Sequence, residues 1–409
     1  MMIVNCWLHV CRKQLELGNY EVTMLTKIKL IIVYIIIRSE NAILKLLQNM
    51  LFSNAIHDVN SICIYRVANV GDTITAIPSM HKIRKKYPDA KLTLLTSPGK
   101  AGAIGAKKIL QYTNWIDDIT EYFSSDIDSI KKIRKFVSKQ RTSQFECFIQ
   151  LPAENTSFKI MLRNLFFAKA IGAKYATGFY VSTLNLFAQT QNKYMHFPTD
   201  CERLLKGLPW ESDGKIEFPI DYTKDDEIIV GKTLEKHGVS ETERILAISF
   251  YGKGKAKHWK IESFHKIAKL WVQNGGKVIV LGGKQQFADG NGIISDLPEG
   301  TGINFCGEFS LLQSILLLRK VKLLLTVDTG TAHMASVTKT PCIELFSSFY
   351  LRDKWVAYGD NIHVIRNELK CSPCMSKICK YGYPAKCMEA ISVQYVWNKI
   401  KMIIGAEDE

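Results

Sequence analysis

The chain repeats one pattern that few folds accommodate: a short apolar run, a turn, an amphipathic helix and a second apolar run. In its first occurrence, residues 62–65 predict a strand, 66–72 a loop, 73–87 a helix and 91–96 the next strand. Strand, helix and strand within about 35 residues form a βαβ unit, whose two strands lie parallel. The pattern therefore predicts an α/β fold with a parallel sheet.

The same alternation continues along the chain. Further strands are predicted at residues 145–151, 244–250, 277–281, 321–327 and 341–346. Helices are predicted at residues 158–170, 263–274, 311–320 and 331–338. Between residues 207 and 228, glycine, proline and acidic residues interrupt the apolar periodicity, which is typical of a linker.

The length and the linker predict two domains. A chain of 409 residues exceeds what one hydrophobic core usually serves. We expect two doubly wound, Rossmann-like domains facing a cleft, the first at residues 61–215 and the second at 216–387. Residues 1–60 would form an N-terminal extension and residues 388–409 a C-terminal helix. Ligands of such sheets bind at the carboxyl ends of strands, where the polar motifs of this chain fall.

Charge restricts the class of partner. The net charge is +15, which favours nucleic acid, phosphorylated small molecules or an anionic membrane surface. The sequence has no Lys/Arg-rich tail and no aromatic–basic repeat, which argues against nucleic acid.

The N-terminal extension contains two apolar segments, at residues 30–37 and 43–51. The first is bracketed by Lys27, Lys29 and Arg38 and is shorter than the roughly 20 apolar residues that span a bilayer. It also lies too far from the N-terminus, without a cleavage site, for a signal peptide. Such a basic amphipathic stretch can lie on an anionic membrane face. Alternatively it packs on the protein itself, or translation begins at or near Met50.

The first polar motif contains Asn69, Gly71 and Asp72, between a strand and a helix. Gly71 permits a tight turn and close approach of a substrate. Asp72 at the start of the helix can serve as an N-cap. At the mouth of a cleft, the same carboxylate can act as a general base that removes a proton from an attacking hydroxyl group. Both interpretations can hold together.

The second motif follows the buried strand at 321–327 and opens a helix. Its polar residues and turn glycine are Asp328, Thr329, Gly330, Thr331 and His333. The free N–H groups and the dipole of a helix N-terminus bind anions, and the threonines add hydroxyl donors, so a diphosphate fits. The alternative is an ordinary turn with a capping aspartate. An aspartic protease would need a second paired aspartate, and no second Asp-Thr-Gly is present.

The third motif places Lys253, Lys255 and Lys257 directly after the first strand of the second domain. Their charge suits a nucleotide diphosphate. A solvated basic loop is the alternative.

The eleven cysteines fall into two groups. Seven are scattered singly, several in apolar runs, which is unlike the disulfide framework of a secreted protein and predicts a reducing, cytoplasmic compartment: Cys6, Cys11, Cys63, Cys147, Cys201, Cys306 and Cys342. The others cluster within 17 residues and can hold a structural zinc ion, form disulfides or stay reduced: Cys371, Cys374, Cys379 and Cys387.

Taken together, these motifs resemble glycosyltransferase family 9, the ADP-heptose:lipopolysaccharide heptosyltransferases and their relatives. The resemblance extends from about residue 62 to about residue 400, and the order and spacing of its parts agree with the family. Those parts are residues 66–74 continuing to 87–90, residues 257–259, residues 281–283, residues 327–335 and the cysteine pair at 371–374.

The resemblance implies the GT-B fold and metal-independent, inverting transfer of a sugar, by default heptose from ADP-heptose, without a required cofactor. Asp72 would be the catalytic base. Lys257 would contact the donor diphosphate, with Lys253 and His333 nearby. Thr329, Gly330 and Thr331 would cradle the diphosphate. Asp328 would shape that turn or touch the sugar. Asn69 and Gly71 would lie on the acceptor side.

The resemblance also assigns the domains and the partners. The first domain would hold a lipopolysaccharide-core or related glycolipid acceptor, and the second the nucleotide sugar. The C-terminal helix would cross back to the first domain. Such an acceptor predicts peripheral contact with the cytoplasmic face of the inner membrane.

One departure from the family pattern leaves the nucleotide and the sugar open. Members often carry an acidic residue, thought to hold the ribose, shortly after the Gly282-Gly283 turn, where this chain has Lys284, Gln285 and Gln286. A glutamine can still hydrogen-bond a hydroxyl group. The alternatives to a transferase are a GT-B-like sugar-nucleotide epimerase or phosphorylase, and a nucleotide-sugar-binding protein with a degenerate site.

Overall fold

The computed structural model describes residues 24–53, 59–154, 156–182, 198–210, 215–240 and 243–408. It begins with helix α1 (Met24–Leu51), which contains both apolar segments of the N-terminal extension in one continuous helix. Within the described residues, no helix combines the length and the apolar character needed to cross a bilayer.

The first sheet contains five strands that all run parallel. They are β1 (Ser61–Val67), β2 (Lys91–Gly99), β3 (Asp118–Phe123), β4 (Cys147–Gln150) and β5 (Tyr175–Thr177). Their spatial order is β3-β2-β1-β4-β5. The winding therefore reverses between β1 and β4, and a crevice opens there at the carboxyl ends of the strands.

Helices cover both faces of the first sheet. They are α2 (Val70–Lys86), α3 (Lys107–Leu110), α4 (Ile130–Arg141), α5 (Phe158–Ala170) and α6 (Asp200–Lys206). Apolar side chains of α1, α4 and α5 share one hydrophobic cluster with the sheet. Those of α2, α3 and α6 belong to a second cluster, which continues into the other half of the molecule. Helix α1 thus packs on the first domain through one of its faces.

The second sheet contains six parallel strands. They are β6 (Ile245–Ser249), β7 (Lys277–Val280), β8 (Gly302–Asn304), β9 (Leu323–Val327), β10 (Cys342–Phe346) and β11 (Ile362–Arg366). Their order is β11-β10-β9-β6-β7-β8, so the winding reverses between β6 and β9. Two Rossmann-like sheets are the α/β fold that the sequence predicted.

Seven helices accompany the second sheet within the described residues. They are α7 (Lys224–Lys236), α8 (Ile261–Gln273), α9 (Phe287–Ile294), α10 (Leu311–Leu318), α11 (Gly330–Thr338), α12 (Lys386–Glu389) and α13 (Val393–Asp408). The expected return of the C-terminal helix to the first domain is wrong. Helix α13 packs on α8 of the second domain instead, because each helix has an apolar face. The residues that share the cluster are Val396, Trp397 and Ile400 of α13 and Phe264 and Trp271 of α8.

Helix α2 begins three residues earlier than predicted. Its N-cap is Asn69, so Val70, Gly71 and Asp72 lie inside the first turn and not in a loop before it. The carboxylate of Asp72 accepts a hydrogen bond from the backbone N–H of Asn69, and this half of a capping box draws the turn into the helix.

Candidate active site

Three turns at the carboxyl ends of β1, β6 and β9 meet between the two sheets, together with the segment that follows β10. They enclose a cavity of about 480 Å³. Its lining residues are Asn69, Gly71, Asp72, Lys253, Gly254, Ala256, Lys257, Asp328, Thr329, Gly330, His333, Phe349, Tyr350, Trp355 and Lys377. Residues far apart in sequence thus share one cavity, at the reversal points of both sheets.

The first turn carries Asp72 as the third residue of α2. Its Oδ2 accepts hydrogen bonds from the backbone N–H of Asn69, at 3.3 Å, and from Asn69 Nδ2, at 3.5 Å. The expectation that Asp72 is the N-cap is therefore corrected: Asn69 is the cap, and Asp72 completes the capping box. Because its side chain is half-buried and lines the cavity, the carboxylate also remains within reach of a ligand.

A buried ionic network supports this turn from behind. The Arg66 guanidinium donates to the backbone oxygen of Asp72 at 3.2 Å and to Asp200 Oδ2 at 2.9 Å. Arg203 pairs with the other Asp200 oxygen. Burial alone would raise the pKa of Asp200, but the two arginines outweigh it and lower that pKa. Sequence reasoning missed this network, although an arginine within a buried strand was a signal for it.

The second turn leaves a helix N-terminus open toward the cavity. Thr329 is the N-cap of α11 in extended conformation, and its side chain makes no capping hydrogen bond. Asp328 is buried and its Oδ2 lies 2.6 Å from Lys257 Nζ. Gly330, at the first position of the helix, lines the cavity. The first N–H groups of α11 and a lysine therefore face the same space, which suits an anion.

Thr331 is the one proposed donor-binding residue that does not line the cavity. Its Oγ1 accepts a hydrogen bond of 3.0 Å from Ser249 Oγ at the end of β6. The hydroxyl group therefore ties α11 to the second sheet, and a direct contact between Thr331 and the donor stays a prediction.

The three lysines of the turn after β6 differ in whether they line the cavity. Lys253 and Lys257 line the cavity, whereas Lys255 does not. His258 anchors the turn, because its Nε2 lies 2.8 Å from the backbone oxygen of Gly252 and its Nδ1 lies 3.0 Å from the hydroxyl of Tyr383.

His333 joins the two turns. Its ring lies against Gly71, where an added Cβ would come within 2.9 Å of His333 Cδ2. A Cβ at Gly330 would come within 3.1 Å of Val70 Cγ1. Burial lowers the pKa of His333, against the opposing effect of the nearby Asp328 and Asp72 carboxylates, so the ring is neutral near pH 7. The starts of α2 and α11 are thus in contact, and the contact at Gly71 is too close for an added Cβ unless the His333 ring shifts.

Sequence reasoning also missed the segment after β10. Tyr350, Trp355 and Lys377 line the cavity. Lys354, next to Trp355, forms an ion pair with Glu154 from the segment after β4, and each side chain is only 1% exposed. Burial lowers the pKa of Lys354 to about 7. The pair joins the two halves, and the lone Glu and Lys gave no local sequence signal.

The C-terminal cysteines lie together but do not form a metal centre. Cys371, Cys374, Cys379 and Cys387 line one small cavity of about 20 Å³. All four are free thiols. Among the described residues, no group of three or more His, Cys, Asp or Glu side chains is arranged to hold a metal ion. Cys6 and Cys11 lie outside the described residues.

The glutamines in place of the expected acidic residue lie outside the cavity. Residues Lys284–Gln286 form a short 3₁₀ turn, and Gln286 Oε1 accepts a hydrogen bond of 2.7 Å from the backbone N–H of Gly283. That bond leaves one lone pair and the amide N–H groups of Gln286 for a ligand.

Comparison with protein families gives one family match. The model described as "Glycosyltransferase family 9 (heptosyltransferase)" matches residues 143–383. The lipopolysaccharide core heptosyltransferase OpsX of Haemophilus influenzae is 24% identical over 301 residues, which are 70% of this chain and 79% of that protein. Lipooligosaccharide heptosyltransferase 2 of Campylobacter jejuni is 26% identical over 155 residues, which are 37% of this chain and 48% of that protein.

Solved structures show the same fold. The glycosyl transferase family 9 structure from Veillonella parvula has a TM-score of 0.71 at 18% identity, covering 86% of this chain and all of that one. The ADP-heptose LPS heptosyltransferase II of Escherichia coli has a TM-score of 0.61 at 18% identity, covering 85% of this chain and all of that one. The heptosyltransferase WaaC of Escherichia coli, solved with ADP-2-deoxy-2-fluoro heptose, has a TM-score of 0.58 at 12% identity, covering 84% and 99%.

Proposed function

The chain belongs to glycosyltransferase family 9, and on this premise we propose that it transfers a sugar with inversion from a nucleotide sugar to a lipopolysaccharide or related glycolipid acceptor. Heptose from ADP-heptose is the donor we propose by default. The names of the relatives from Haemophilus influenzae and Campylobacter jejuni, and the ligand of the WaaC structure, support that choice.

The donor diphosphate would bind at the start of α11. Its negative charge would meet the N–H groups of that helix, the Thr329 hydroxyl and the ammonium groups of Lys257 and Lys253. In this proposal residues 216–387 form the donor domain and residues 61–215 the acceptor domain.

Asp72 would act as the general base. It would take the proton of an acceptor hydroxyl group while the oxygen attacks the anomeric carbon opposite the diphosphate. The new glycosidic bond forms as the bond to the diphosphate oxygen breaks, so the configuration inverts. Negative charge grows on the leaving diphosphate, where Lys257 and the helix dipole stabilise it. Because these groups supply the positive charge, we propose transfer that needs no metal ion.

One observation carries the proposal: Asp72 from the first sheet and the open N-terminus of α11 from the second line the same cavity. A base and an anion site that face each other across a cleft suit group transfer between two bound substrates. The acceptor would be a glycolipid, which places the reaction at the cytoplasmic face of the inner membrane.

The test is thermal-shift binding with a panel of ADP-, GDP- and UDP-sugars and their free nucleotides. We expect one family of nucleotides to raise the melting temperature of the wild type. Lys257→Ala should abolish that shift, because it removes a charged contact to the diphosphate. Lys255→Ala is the matched control: this exposed lysine lies two residues away and outside the cavity, so its shift should equal that of the wild type.

A second assay separates transfer from other chemistry. Formation of a glycosylated acceptor, with the opposite anomeric configuration to the donor, supports the proposal. Epimerisation or phosphorolysis of the donor without acceptor would identify the alternative enzymes instead. No nucleotide binding, or binding that Asp72→Ala leaves unchanged together with an absence of turnover in the wild type, would point to a degenerate site.

A further inference from the structure

Helix α1 is apolar on two faces, and within the part of the chain that the structure describes only one of them packs on the protein. Leu44 is buried in the hydrophobic cluster of the first domain, and Ile37 is buried on the same side of the helix. On the opposite face, apolar side chains that are 45–72% exposed recur every three or four residues, with Ser39 at the one polar position. We call this row the α1 stripe; it consists of Ile28, Ile32, Ile35, Ile43, Leu46 and Met50.

The attachment of α1 determines where the stripe lies. Asn41 exchanges two hydrogen bonds, of 2.7 Å and 3.0 Å, with the backbone of Val181, beyond the carboxyl end of β5. At the other end of α1, the N–H of Ser53 donates to the backbone oxygen of Lys174, just before β5 begins. Residues 24–40 therefore extend past the carboxyl edge of the sheet by roughly 25 Å at 1.5 Å per residue. The candidate active site opens at this same edge.

Two neighbouring helices add positive charge to this side of the molecule. Helices α4 and α5 lie on the same face of the first sheet as α1. Eleven exposed basic side chains on the three helices face solvent: Arg38, Lys45, Lys131, Lys132, Arg134, Lys135, Lys139, Arg141, Lys159, Arg163 and Lys169. Glu40, which is half-buried, is the single acidic residue within them. Much of the net charge of +15 is therefore gathered on one side.

A cavity of about 500 Å³ opens beside α4 within this region. Lys132, Lys135 and Lys139 line it with the ring of Phe136, and its acidic lining residues are Glu121 and Asp126. Lys132 also pairs with Asp128 at 2.9 Å. The mixture of ammonium groups and an aromatic ring can receive a phosphate group together with the start of an acyl chain.

We propose that α1, α4 and α5 form a docking surface for a bilayer that contains anionic phospholipids. The α1 stripe would enter the boundary between headgroups and acyl chains, and the basic side chains would lie at the level of the phosphates. The excess of basic over acidic side chains on the three helices argues against a basic protein partner, and a row of exposed isoleucines does not suit a nucleic acid. An anionic membrane offers an apolar layer for the α1 stripe and negatively charged headgroups for the basic side chains.

This docking surface rests on the proposed function, because it explains how a glycolipid acceptor reaches Asp72. The N-termini of α4 and α5 lie at the carboxyl edge of the first sheet, as in any parallel βα unit. A membrane bound along these helices would therefore border the cleft, and the sugar headgroup of an acceptor could enter it without leaving the bilayer.

The test is sedimentation of the full chain with vesicles of phosphatidylcholine alone and of phosphatidylcholine with about 30% phosphatidylglycerol, at low and high salt. Ile32→Ser with Ile35→Ser removes part of the α1 stripe. Arg134→Gln, Lys135→Gln and Lys139→Gln together remove charge from α4. Melting temperatures establish that both variants fold, which we expect because all five side chains are exposed.

Helix α7 supplies matched controls on the other half of the molecule. Ile228 and Ile229 are 50% and 45% exposed, similar to the α1 stripe, and Lys232 and Lys236 are exposed basic residues. The controls are Ile228→Ser with Ile229→Ser, and Lys232→Gln with Lys236→Gln.

We expect the wild type to bind the anionic vesicles and to lose binding at high salt. Removing one basic residue near the surface weakens binding by about fivefold, so the triple variant should bind at least about tenfold more weakly. The stripe variant should lose affinity for the anionic vesicles too, and the α7 controls should stay within about twofold of the wild type. Equal binding to both vesicle types, or controls that weaken as much, would overturn the proposal. So would binding that needs the lysines but not the stripe.

Nucleotide binding separates this proposal from the proposed function. Surface variants that lose vesicle binding but keep the nucleotide-induced thermal shift support the docking surface. With an acceptor embedded in vesicles these variants should lose activity, whereas with a delipidated acceptor they should match the wild type. A wild type that binds vesicles but no nucleotide would refute the proposed function and leave the docking surface standing.

Discussion

The β1–α2 turn and the β9–α11 turn share one construction and differ in where they place their aspartate. Each joins a buried central strand to a helix through a glycine in the first turn. In the first, Asp72 lies within the helix and is half-buried at the cavity. In the second, Asp328 precedes the helix, is buried, and pairs with Lys257.

The position of the acid decides what each helix N-terminus can bind. Asp72 lies in the first turn of α2 and accepts a hydrogen bond from the backbone N–H of Asn69, so that end of the helix already has its negative group. The first turn of α11 has no acidic residue, and Thr329 makes no side-chain cap there, so this helix N-terminus suits an external anion. In the proposed function, the same kind of turn would therefore present a base on one side of the cleft and an anion site on the other.

The largest expected effect comes from neutralising the first aspartate. Asp72→Asn should lower kcat by about 10²- to 10⁴-fold, because the general base is lost, and should change donor affinity by less than about threefold. Steady-state kinetics and calorimetry with the donor measure the two quantities. Asp89→Asn, at an exposed acid after α2, is the control and should leave kcat unchanged. A kcat within tenfold of the wild type would remove Asp72 from the role of base.

The buried Glu154–Lys354 pair tests whether the two halves act as one unit. Removing one partner of a buried pair leaves the other charge without its counterion, so Glu154→Leu or Lys354→Met should each destabilise the fold by about 3–5 kcal/mol. Replacing both, as Glu154→Leu with Lys354→Met, should recover most of that loss. Denaturant unfolding of the four proteins closes the cycle; additive losses would mean that the two side chains do not depend on each other.

Neutralising Asp328 should mainly weaken donor binding, whereas neutralising Asp72 should mainly lower kcat. Asp328→Asn leaves Lys257 without its partner and shifts it from the anion site, so we expect donor affinity to fall about tenfold. Once the donor is saturating, kcat should fall less than in Asp72→Asn. Identical profiles for the two variants would contradict the division of roles between the turns.

The contact between the turns is sensitive to a single methyl group. Gly71→Ala would press a Cβ against the His333 ring at 2.9 Å, and we expect the turns to separate and kcat/KM to fall severalfold. Gly231→Ala on α7 is the control, since nothing lies within 4 Å of its added Cβ and alanine favours a helix. A Gly71→Ala enzyme with wild-type kcat/KM would show that the contact is not needed.

The smallest effect concerns pH. Because burial lowers the pKa of His333, the unfolded chain binds a proton more readily than the folded one. Above the unfolded pKa, near 6.5, both states are neutral and no effect arises; as the pH falls below it, stability decreases by up to about 1 kcal/mol per unit. His333→Gln should therefore lose less stability than the wild type between about pH 6.5 and 5.5. Parallel curves would indicate that folding leaves the proton affinity of the His333 ring unchanged.

Seven of the eleven strands found in the described residues were predictable, and they are the internal strands of both sheets. The four missed strands, β3, β5, β8 and β11, are the four edges. Internal strands are buried on both faces, so their sequences are continuous apolar runs, as in the LLLTV sequence of β9. Edge strands here have only three residues, as in β5 and β8, or are half-exposed, as in β3 and β11, so no such run exists.

The sequence by itself determined the parallel βα architecture and the three turns with Asp72, Lys257 and Asp328. Each of these depends on residues within a few positions of one another. Only the tertiary structure decided that Thr331 bonds to Ser249, that α13 packs on α8, and that Glu154 pairs with Lys354. Those outcomes follow from burial and pairing between distant segments, which depend on how the elements pack and leave no trace in local spacing.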